Sequence, residues 1–235
     1  MDKILICNHK MFLTPDEALM LKENMDNLNI NSDNLIICPN FLDFDTFSNY
    51  NLGAQNCFYE DKGSYTGEVS AYHLHLKGIK YCIVGHLERR NVESLKEINL
   101  KVHACLRNSI TPIICIGESR LDKEMRRTSE SLKKQLITIL KDINLSSYQE
   151  IMIAYEPSWT IGTGNIVKKE DLSDTAKFIK KILLDLKISN YKLLYGGGIT
   201  GNNIKELLID GIDGYLIGSA STNINELKNI IDCIK

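Results

Sequence analysis

Short, continuously apolar runs recur along the chain, and between them apolar residues return every three or four positions. About eight such runs occur, at 4–7, 35–38, 52–55, 81–84, 112–116, 151–154, 193–195 and 215–217. A run without polar alternation is typical of a parallel strand that is buried on both faces. The spacing between the runs predicts amphipathic helices. The chain is therefore predicted to alternate strand and helix throughout.

The predicted helices carry start signals and apolar faces. The segment Thr14-Pro-Asp-Glu17 combines a capping threonine, a proline at the first helical position and the glutamate of a capping box, so a helix should begin there. A short helix is expected up to about Lys77, and a longer one from about Val92 to Asn108. Apolar stripes predict three more helices, through Leu132, Leu136, Ile139, Leu140 and Ile143, through Leu172, Ala176, Ile179, Leu183 and Leu186, and through Leu227, Ile230, Ile231 and Ile234.

This alternation fits one α/β architecture closely. Eight right-handed βαβ units in about 200 to 250 residues match a (β/α)8 barrel. An open, doubly wound sheet is the alternative, but it usually has a Gly-x-Gly-x-x-Gly turn after its first strand, where this chain has Asn8-His9-Lys10. No linker or low-complexity stretch interrupts the pattern. Residues 1–235 are therefore expected to form a single barrel domain.

Composition narrows the partners. The formal net charge is −2, which gives no reason to expect nucleic acid or a membrane surface as partner. No run approaches the roughly 20 apolar residues of a membrane span, and the N-terminus lacks the features of a signal peptide. The seven cysteines contain no Cys-x-x-Cys pair and the five histidines do not cluster. We therefore expect a cytoplasmic protein with reduced thiols and no metal site, with His73 and His75 at the surface.

Chemically complementary groups follow the predicted strands at their carboxyl ends. They are Asn8, Lys10, His86, Glu118, Glu156, the glycines 196–198 and Gly218. The carboxyl ends of all strands face one end of a barrel, where the βα loops build the active site. A single histidine or lysine at a strand end is more often structural or solvated. Four complementary polar groups at one mouth instead predict a catalytic site.

These groups suit proton transfer next to a carbonyl. Glu156 is the candidate base. His86 begins a predicted helix, whose dipole should favour the neutral ring, and this ring would donate a hydrogen bond to a carbonyl or enediolate oxygen. Lys10 supplies positive charge where an oxyanion develops, and Asn8 supplies a further donor.

Two glycine-rich strand ends predict an anion site beside this chemistry. The glycines 196–198 and the pair Gly218-Ser219 let backbone amides approach an anion closely, as in the usual phosphate site of such barrels. We expect a phosphate to bind there.

A candidate lid follows the glutamate. Pro157 restricts Glu156 to extended geometry, Trp159 is a bulky anchor, and Gly162 and Gly164 form a glycine-rich tip. This composition is typical of a loop that closes over a substrate, and the Gly162 amide would reach the anion. The simpler alternative is a strand-to-helix connection with an exposed glutamate.

Seven motifs in this order resemble those of the triosephosphate isomerase family, over nearly the whole chain. They are Asn8-His-Lys-Met11, Gly53-Ala-Gln-Asn56, Tyr65-Thr-Gly-Glu68, Gly85-His-Leu-Glu-Arg-Arg90, Cys115-Ile-Gly-Glu118, Ala154-Tyr-Glu-Pro-Ser-Trp-Thr-Ile-Gly-Thr-Gly164 and Tyr195-Gly-Gly197. The resemblance implies a TIM barrel. The glutamate base and the neutral imidazole are the roles for which this family is itself known.

The resemblance also implies roles for individual residues. Lys10 and Asn8 match the family's oxyanion contacts, His86 its electrophile and Glu156 its base. Gly162, Gly198, Gly218 and Ser219 would bind the phosphate. Pro157, Trp159, Thr163 and Gly164 would form the lid, with Glu118 and Trp159 as hinge anchors. Thr66 would approach Asn8 of a second subunit, which implies a homodimer, although a simple surface turn would explain Thr66 equally. Arg90 and Cys115 are expected to be structural.

The implied activity is the interconversion of dihydroxyacetone phosphate and D-glyceraldehyde 3-phosphate, a step of glycolysis and gluconeogenesis, through an enediolate and without a cofactor. One alternative is an isomerase of a related sugar phosphate, such as a tetrulose 4-phosphate. Another is a barrel without catalytic activity that serves as a binding or scaffold protein.

Three positions depart from the family's pattern near the chemistry, and a fourth departs from it beside the subunit interface. Leu87 stands where the family usually has serine, and apolar contact raises a carboxyl pKa, so we expect the pKa of Glu156 to be higher than in the family. Gly198 replaces a usual serine, and Ser219 replaces a usual glycine, which suggests either that one hydroxyl compensates for the other or neutral drift. His9 replaces a common tryptophan beside the subunit interface.

Overall fold

A computed structural model describes residues 3–160 and 165–234, and eight parallel strands in these ranges close into a barrel. Each strand pairs with the next along the chain, and the last pairs with the first. The strands are β1 (Ile4–Asn8), β2 (Leu35–Cys38), β3 (Asn51–Ala54), β4 (Tyr81–Val84), β5 (Thr111–Ile116), β6 (Ile151–Tyr155), β7 (Tyr191–Gly196) and β8 (Gly214–Ile217). The predicted (β/α)8 barrel is confirmed.

Helices surround this barrel. They are α1 (Pro15–Asn27), α2 (Ala71–Leu76), α3 (Leu95–Arg107), α4 (Arg120–Glu124), α5 (Thr128–Ile139), α6 (Lys169–Asp185) and α7 (Ile224–Ile234). The predicted start of α1 is confirmed, because the Thr14 hydroxyl accepts from the Glu17 N–H and the Glu17 carboxylate accepts from the Thr14 N–H.

Some helix predictions were wrong in detail. A regular helix does not follow every strand, since β2 and β7 lead into short 3-10 helices, Phe41–Asp43 and Ile204–Leu207. Helix α3 begins three residues later than expected, because Ser94 and Glu97 form a capping box. Leu140, Ile143 and Leu186 lie beyond the ends of their helices, although Leu140 and Ile143 remain buried.

Alternate strand residues build two separate apolar layers. One fills the barrel and contains Ile6, Ile36, Cys38, Ile83, Ile113, Cys115, Met152, Ala154, Leu194 and Leu216. The other lies between the strands and the helices, where Cys7, Cys82, Val84, Ile114 and Ile153 meet helical residues such as Leu136 and Ile179. Successive strand residues face opposite sides of a sheet, so strands buried on both faces read as continuous apolar runs.

Candidate active site

A cavity of about 260 Å³ opens at the carboxyl ends of the strands. Its lining includes seven residues predicted for catalysis or phosphate binding, namely Asn8, Lys10, His86, Glu156, Gly198, Gly218 and Ser219. Phe12, Glu88, Gly197, Ile199 and Leu216 complete it. Barrel closure therefore brings together groups that are far apart in the sequence.

Glu156 and His86 lie against each other at the floor of this cavity. Glu156 follows β6, where its N–H donates to the Ile116 carbonyl at 2.7 Å, and His86 follows β4 across the barrel mouth. His86 Nε2 is 3.3 Å from Glu156 Oε1, and both side chains are buried. The predicted base and electrophile thus form one hydrogen-bonded pair.

The hydrogen bonds of His86 specify which ring nitrogen carries a proton in the neutral form. Its Nδ1 accepts from the Glu88 N–H at 3.3 Å, so the proton of the neutral ring is on Nε2 and faces Glu156. Burial lowers the pKa of His86, but the charge and hydrogen bond of Glu156 outweigh burial, and the net pKa lies above 6.5. The expectation that a helix dipole lowers this pKa was wrong, because the helix is a short 3-10 turn and a carboxylate lies opposite the ring.

The pKa of Glu156 is displaced the other way. Burial raises it, but the His86 charge and hydrogen bond, a hydrogen bond from the Cys115 thiol and the Lys10 charge together bring it below 4.5. Leu87, half-buried, does line a second cavity beside Glu156, of about 700 Å³. The charges and hydrogen bonds around Glu156 outweigh its burial, so the carboxylate stays ionised at neutral pH. Cys115, expected to be only structural, touches the candidate base.

Lys10 is fixed by residues that the sequence did not single out for the site. Its backbone has a positive φ of 52°, and its carbonyl accepts from the Gln55 side chain at 2.8 Å. Its Nζ donates to Glu88 Oε1 at 2.6 Å. In the sequence, Glu88 was noted only as a member of the Gly85–Arg90 motif and was given no role. Asn8 is buried, and its amide oxygen accepts from the Lys10 N–H at 3.2 Å, which leaves its NH2 group as the available donor.

Comparison with known proteins agrees with this geometry. The family model described as "Triosephosphate isomerase" matches residues 3–234. This chain belongs to the triosephosphate isomerase family. Similar proteins named triosephosphate isomerase occur in Thermodesulfovibrio yellowstonii (36% identical, covering 97% of this chain and 98% of the relative) and Mycoplasma mobile (36%, covering 99% of each). A third, from Thermoanaerobacter pseudethanolicus, is 34% identical over 97% of this chain and 98% of the relative.

The anchor expected for the family's lid is present in the described part of the chain. Glu118 is fully buried, and its Oε1 accepts from Trp159 Nε1 at 2.9 Å and from the Tyr155 hydroxyl at 3.2 Å. The Ser158 N–H donates to the Glu118 carbonyl at 3.1 Å, and Pro157 is buried beside it. Gly162, Thr163 and Gly164, predicted for the lid and the phosphate, lie outside the described residues.

Two glycines make room for the candidate base. A Cβ at Gly117 would lie 1.9 Å from the Glu156 carbonyl oxygen, and one at Gly196 would lie 3.0 Å from Glu156 Cγ. Side chains at these positions would displace the glutamate. At the predicted phosphate end, Gly198 has a φ of 59°, a left-handed conformation that favours glycine.

Three further predicted positions lie around this centre. Arg90 is structural as expected, since its guanidinium donates to the carbonyls of Gly85 and Cys115 and thereby joins β4 to β5. Thr66 is exposed and does not line the cavity of its own chain. His9 is only 2% exposed, packs edge-on against Phe47 with ring centroids 5.2 Å apart, and has a pKa lowered to about 4 by burial. His9 therefore packs inside its own chain.

Proposed function

We propose that this cavity interconverts dihydroxyacetone phosphate and D-glyceraldehyde 3-phosphate. As a member of its family, the chain is an intramolecular aldose-ketose isomerase that acts on a small phosphorylated sugar. The observation that carries the catalytic proposal is the contact between buried Glu156 and His86, 3.3 Å apart, with the Lys10 side chain in the same cavity.

Glu156 is the proposed base. Its lowered pKa keeps the carboxylate ionised at neutral pH. The carboxylate takes a proton from the carbon next to the carbonyl, and the electron pair of the broken C–H bond forms an enediolate. Glu156 then returns the proton to the adjacent carbon, and the hydroxyl proton passes to the former carbonyl oxygen, so the hydroxyl and carbonyl exchange places. No electrons leave the substrate, so the residues proposed here suffice without a metal or an organic cofactor.

His86, Lys10 and Asn8 are proposed to stabilise the enediolate. A substrate oxygen that displaces Glu156 from His86 would accept the Nε2–H hydrogen bond. The ammonium of Lys10 and the amide N–H of Asn8 line the same cavity. Donors that are already oriented toward a developing oxyanion lower the barrier without reorganising in the reaction.

The other end of the cavity is the proposed phosphate site. Gly198, Gly218 and Ser219 line it, and the amide of Gly162 is proposed to join them. The lid would run from Pro157 to Gly164 and include Thr163, with Trp159 held on Glu118. Its closure would exclude water and suppress the loss of phosphate from the enediolate.

We further propose a homodimer in which Thr66 approaches the cavity of a second copy. The apolar side chains of Met11, Phe12 and Tyr65 support this, being 88%, 55% and 43% exposed in the single chain. Large apolar side chains left exposed on a single chain are typical of surfaces that a partner covers.

The proposed compartment is the cytoplasm, and the proposed domain is residues 1–235. All seven cysteines are unpaired as thiols, which suits a reducing compartment. Among residues 3–160 and 165–234, no helix combines the length and hydrophobicity that crossing a bilayer requires.

A coupled assay tests the function. We expect turnover of the triose phosphates and a loss of about 10²- to 10⁴-fold in kcat on Glu156→Gln, the usual range for a general base. The exposed Glu124→Gln is the matched control. Full activity of Glu156→Gln would contradict the mechanism, preference for a tetrulose 4-phosphate would favour that alternative, and inactivity on both substrates would favour a non-catalytic barrel.

A further inference from the structure

Three cysteines converge on one point outside the active site. Cys57 follows β3, Cys82 lies on β4 and Cys105 lies on α3. Their sulfur atoms all lie within 4.8 Å of one another, and Cys57 Sγ is 3.6 Å from Cys105 Sγ. All three residues are buried in the layer between the strands and the helices. In the part of the chain that is described, this is the group of histidine, cysteine and acidic side chains with metal-ligand spacing.

The three thiols are not equivalent. Hydrogen bonds from Cys105 and Cys82 hold the pKa of the Cys57 thiol well below its usual value despite burial. The hydrogen bond to Cys57 raises the pKa of Cys105, and burial raises the pKa of Cys82. Hydrogen bonds therefore join the three sulfurs into one cluster.

A buried cation lies close to the sulfurs. Lys101 lies one helical turn before Cys105 on α3 and is only 5% exposed. Its Nζ donates to Asn56 Oδ1 and to Glu93 Oε1, each at 2.8 Å. Arg89 also donates to Glu93. Lys101, Arg89 and Glu93 together carry a net charge of +1 beside the sulfurs, so their environment favours a cluster with a charge of −1.

We propose that Cys57, Cys82 and Cys105 bind one thiophilic divalent cation of the zinc class at a structural site. A tetrahedral ion with metal–sulfur distances of about 2.3 Å has its sulfurs about 3.8 Å apart. The observed sulfur separations need only small side-chain adjustments to reach this geometry. Three sulfurs would occupy three corners of the tetrahedron and leave the fourth to a small ligand.

Charge balance favours a divalent ion. Binding of M²⁺ forms three metal–sulfur bonds and releases the thiol protons to solvent, so three thiolates and the ion together carry −1. A monovalent ion such as Cu⁺ would leave −2 in a buried layer, where uncompensated charge is costly. Lys101 can therefore balance the cluster that a divalent ion forms.

The site is separate from the proposed catalytic cavity, so its test does not depend on isomerase activity. Full-length protein, fully reduced and freed of metal with a chelator, would be titrated with Cd²⁺, a zinc-class probe whose thiolate complexes absorb in the ultraviolet. Because the sulfurs are buried, the titration would be repeated on protein refolded with the ion. All samples would carry Cys233→Ser to remove the partly exposed thiol.

The expected result is one Cd²⁺ per chain and a thiolate-to-metal absorption band. Cys82→Ala or Cys105→Ala should weaken binding at least 10-fold, because even the loss of a residue that only orients a ligand costs about 10- to 100-fold at metal sites. Cys7→Ala is the matched control, since Cys7 is equally buried in the same layer but outside the cluster, and it should bind as the parent does.

Three outcomes would overturn the proposal. They are no binding to either folded or refolded protein, equal binding by the Cys82→Ala and Cys105→Ala variants, and X-ray absorption that shows fewer than three sulfurs around the ion. Because X-ray absorption needs only the parent protein, a variant that fails to fold does not prevent the decision.

Discussion

Nε2 of His86 and Oε1 of Glu156 are 3.3 Å apart, and this contact displaces the two pKa values in opposite directions. Each group is buried, and burial alone would favour its neutral form. The pair instead stabilises the charged form of both residues, with the Glu156 pKa lowered and the His86 pKa raised. His86, which is proposed to polarise the substrate, therefore keeps the proposed base Glu156 ionised.

Replacing His86 with glutamine should raise the pKa of Glu156 above 4.5, its ordinary value. Glutamine keeps a hydrogen-bond donor but carries no charge, so burial would dominate and the rise should be about one unit or more. Carbon-13 NMR of the carboxylate in the free enzyme, assigned with Glu156→Gln, measures this value. The exposed His75→Gln is the control, and an unchanged Glu156 pKa in His86→Gln would disprove the coupling.

The same contact predicts how stability depends on pH. Because folding lowers the Glu156 pKa, the ionised glutamate stabilises the fold above pH 4.5, its unfolded pKa, and this stabilisation is lost as pH falls through the folded pKa. Because folding raises the His86 pKa, the protonated histidine stabilises the fold below pH 6.5, its unfolded pKa, and this stabilisation is lost as pH rises through the folded pKa. The difference in unfolding free energy between parent and His86→Gln should therefore be largest between about pH 4.5 and 6.5, as measured by urea unfolding. A difference that does not vary with pH would contradict this.

Gly117→Ala should destabilise the fold by about 3 kcal/mol or more, at or above the upper end for overpacking. The added Cβ would lie 1.9 Å from the Glu156 carbonyl oxygen, and backbone cannot rotate away as a side chain can. Gly78→Ala is a matched control with a φ of 84° and open space around it, so it should cost only about 1 to 2 kcal/mol for left-handed geometry. Urea unfolding measures both, and equal losses would refute the steric argument.

Trp159→Phe should lower kcat/KM about tenfold. A hydrogen bond to a charged group contributes about 1.5 to 3 kcal/mol, and a tenfold change corresponds to about 1.4 kcal/mol. The lost bond joins Trp159 Nε1 to Glu118 Oε1 at 2.9 Å. Tyr155→Phe removes the other donor to the same oxygen, but from a strand, so it should reduce stability and leave kcat/KM nearly unchanged. Steady-state kinetics of both variants would separate a role in the lid from a purely structural one.

Ser219→Gly tests whether this hydroxyl compensates for the serine missing at Gly198. Ser219 is exposed and lines the proposed phosphate end of the cavity. Loss of one hydrogen bond to a phosphate should raise KM about five- to tenfold. The exposed loop residue Ser146 provides the control Ser146→Gly. If Ser219→Gly leaves KM unchanged, the serine is neutral drift.

The fold was largely predictable because its signals are local. Four consecutive apolar residues marked β2, and the Thr14–Glu17 capping box fixed the start of α1. The start of α3 after Ser94 could also have been predicted from local sequence, because Ser94 and Glu97 form the same kind of capping box. By contrast, the residues after β2 and β7 gave no local sign that only short 3-10 helices would form, because packing in a closed barrel decides how much chain each crossover needs.

The residues predicted at the cavity follow from one topological rule. Parallel strands all end at the same rim, so Asn8, His86 and Glu156 could be placed together once eight strands were counted. Their electrostatics could not be predicted in this way. The pKa of Glu156 depends on which of its neighbours has the larger effect. The sequence showed Leu87, which was expected to raise this pKa, but it did not show the contact with His86 at 3.3 Å, which lowers it.

The sequence by itself determined the barrel, the order of its strands and the residue types at its mouth, because apolar periodicity and capping act over a few residues. Only the tertiary structure decided which distant side chains meet. Lys10 and Glu88, 78 positions apart, form an ion pair at 2.6 Å, His9 packs against Phe47 within its own chain, and three cysteines spread over 49 residues converge behind β4. Such contacts depend on the register and closure of the sheet, which set distances between elements that no local pattern encodes.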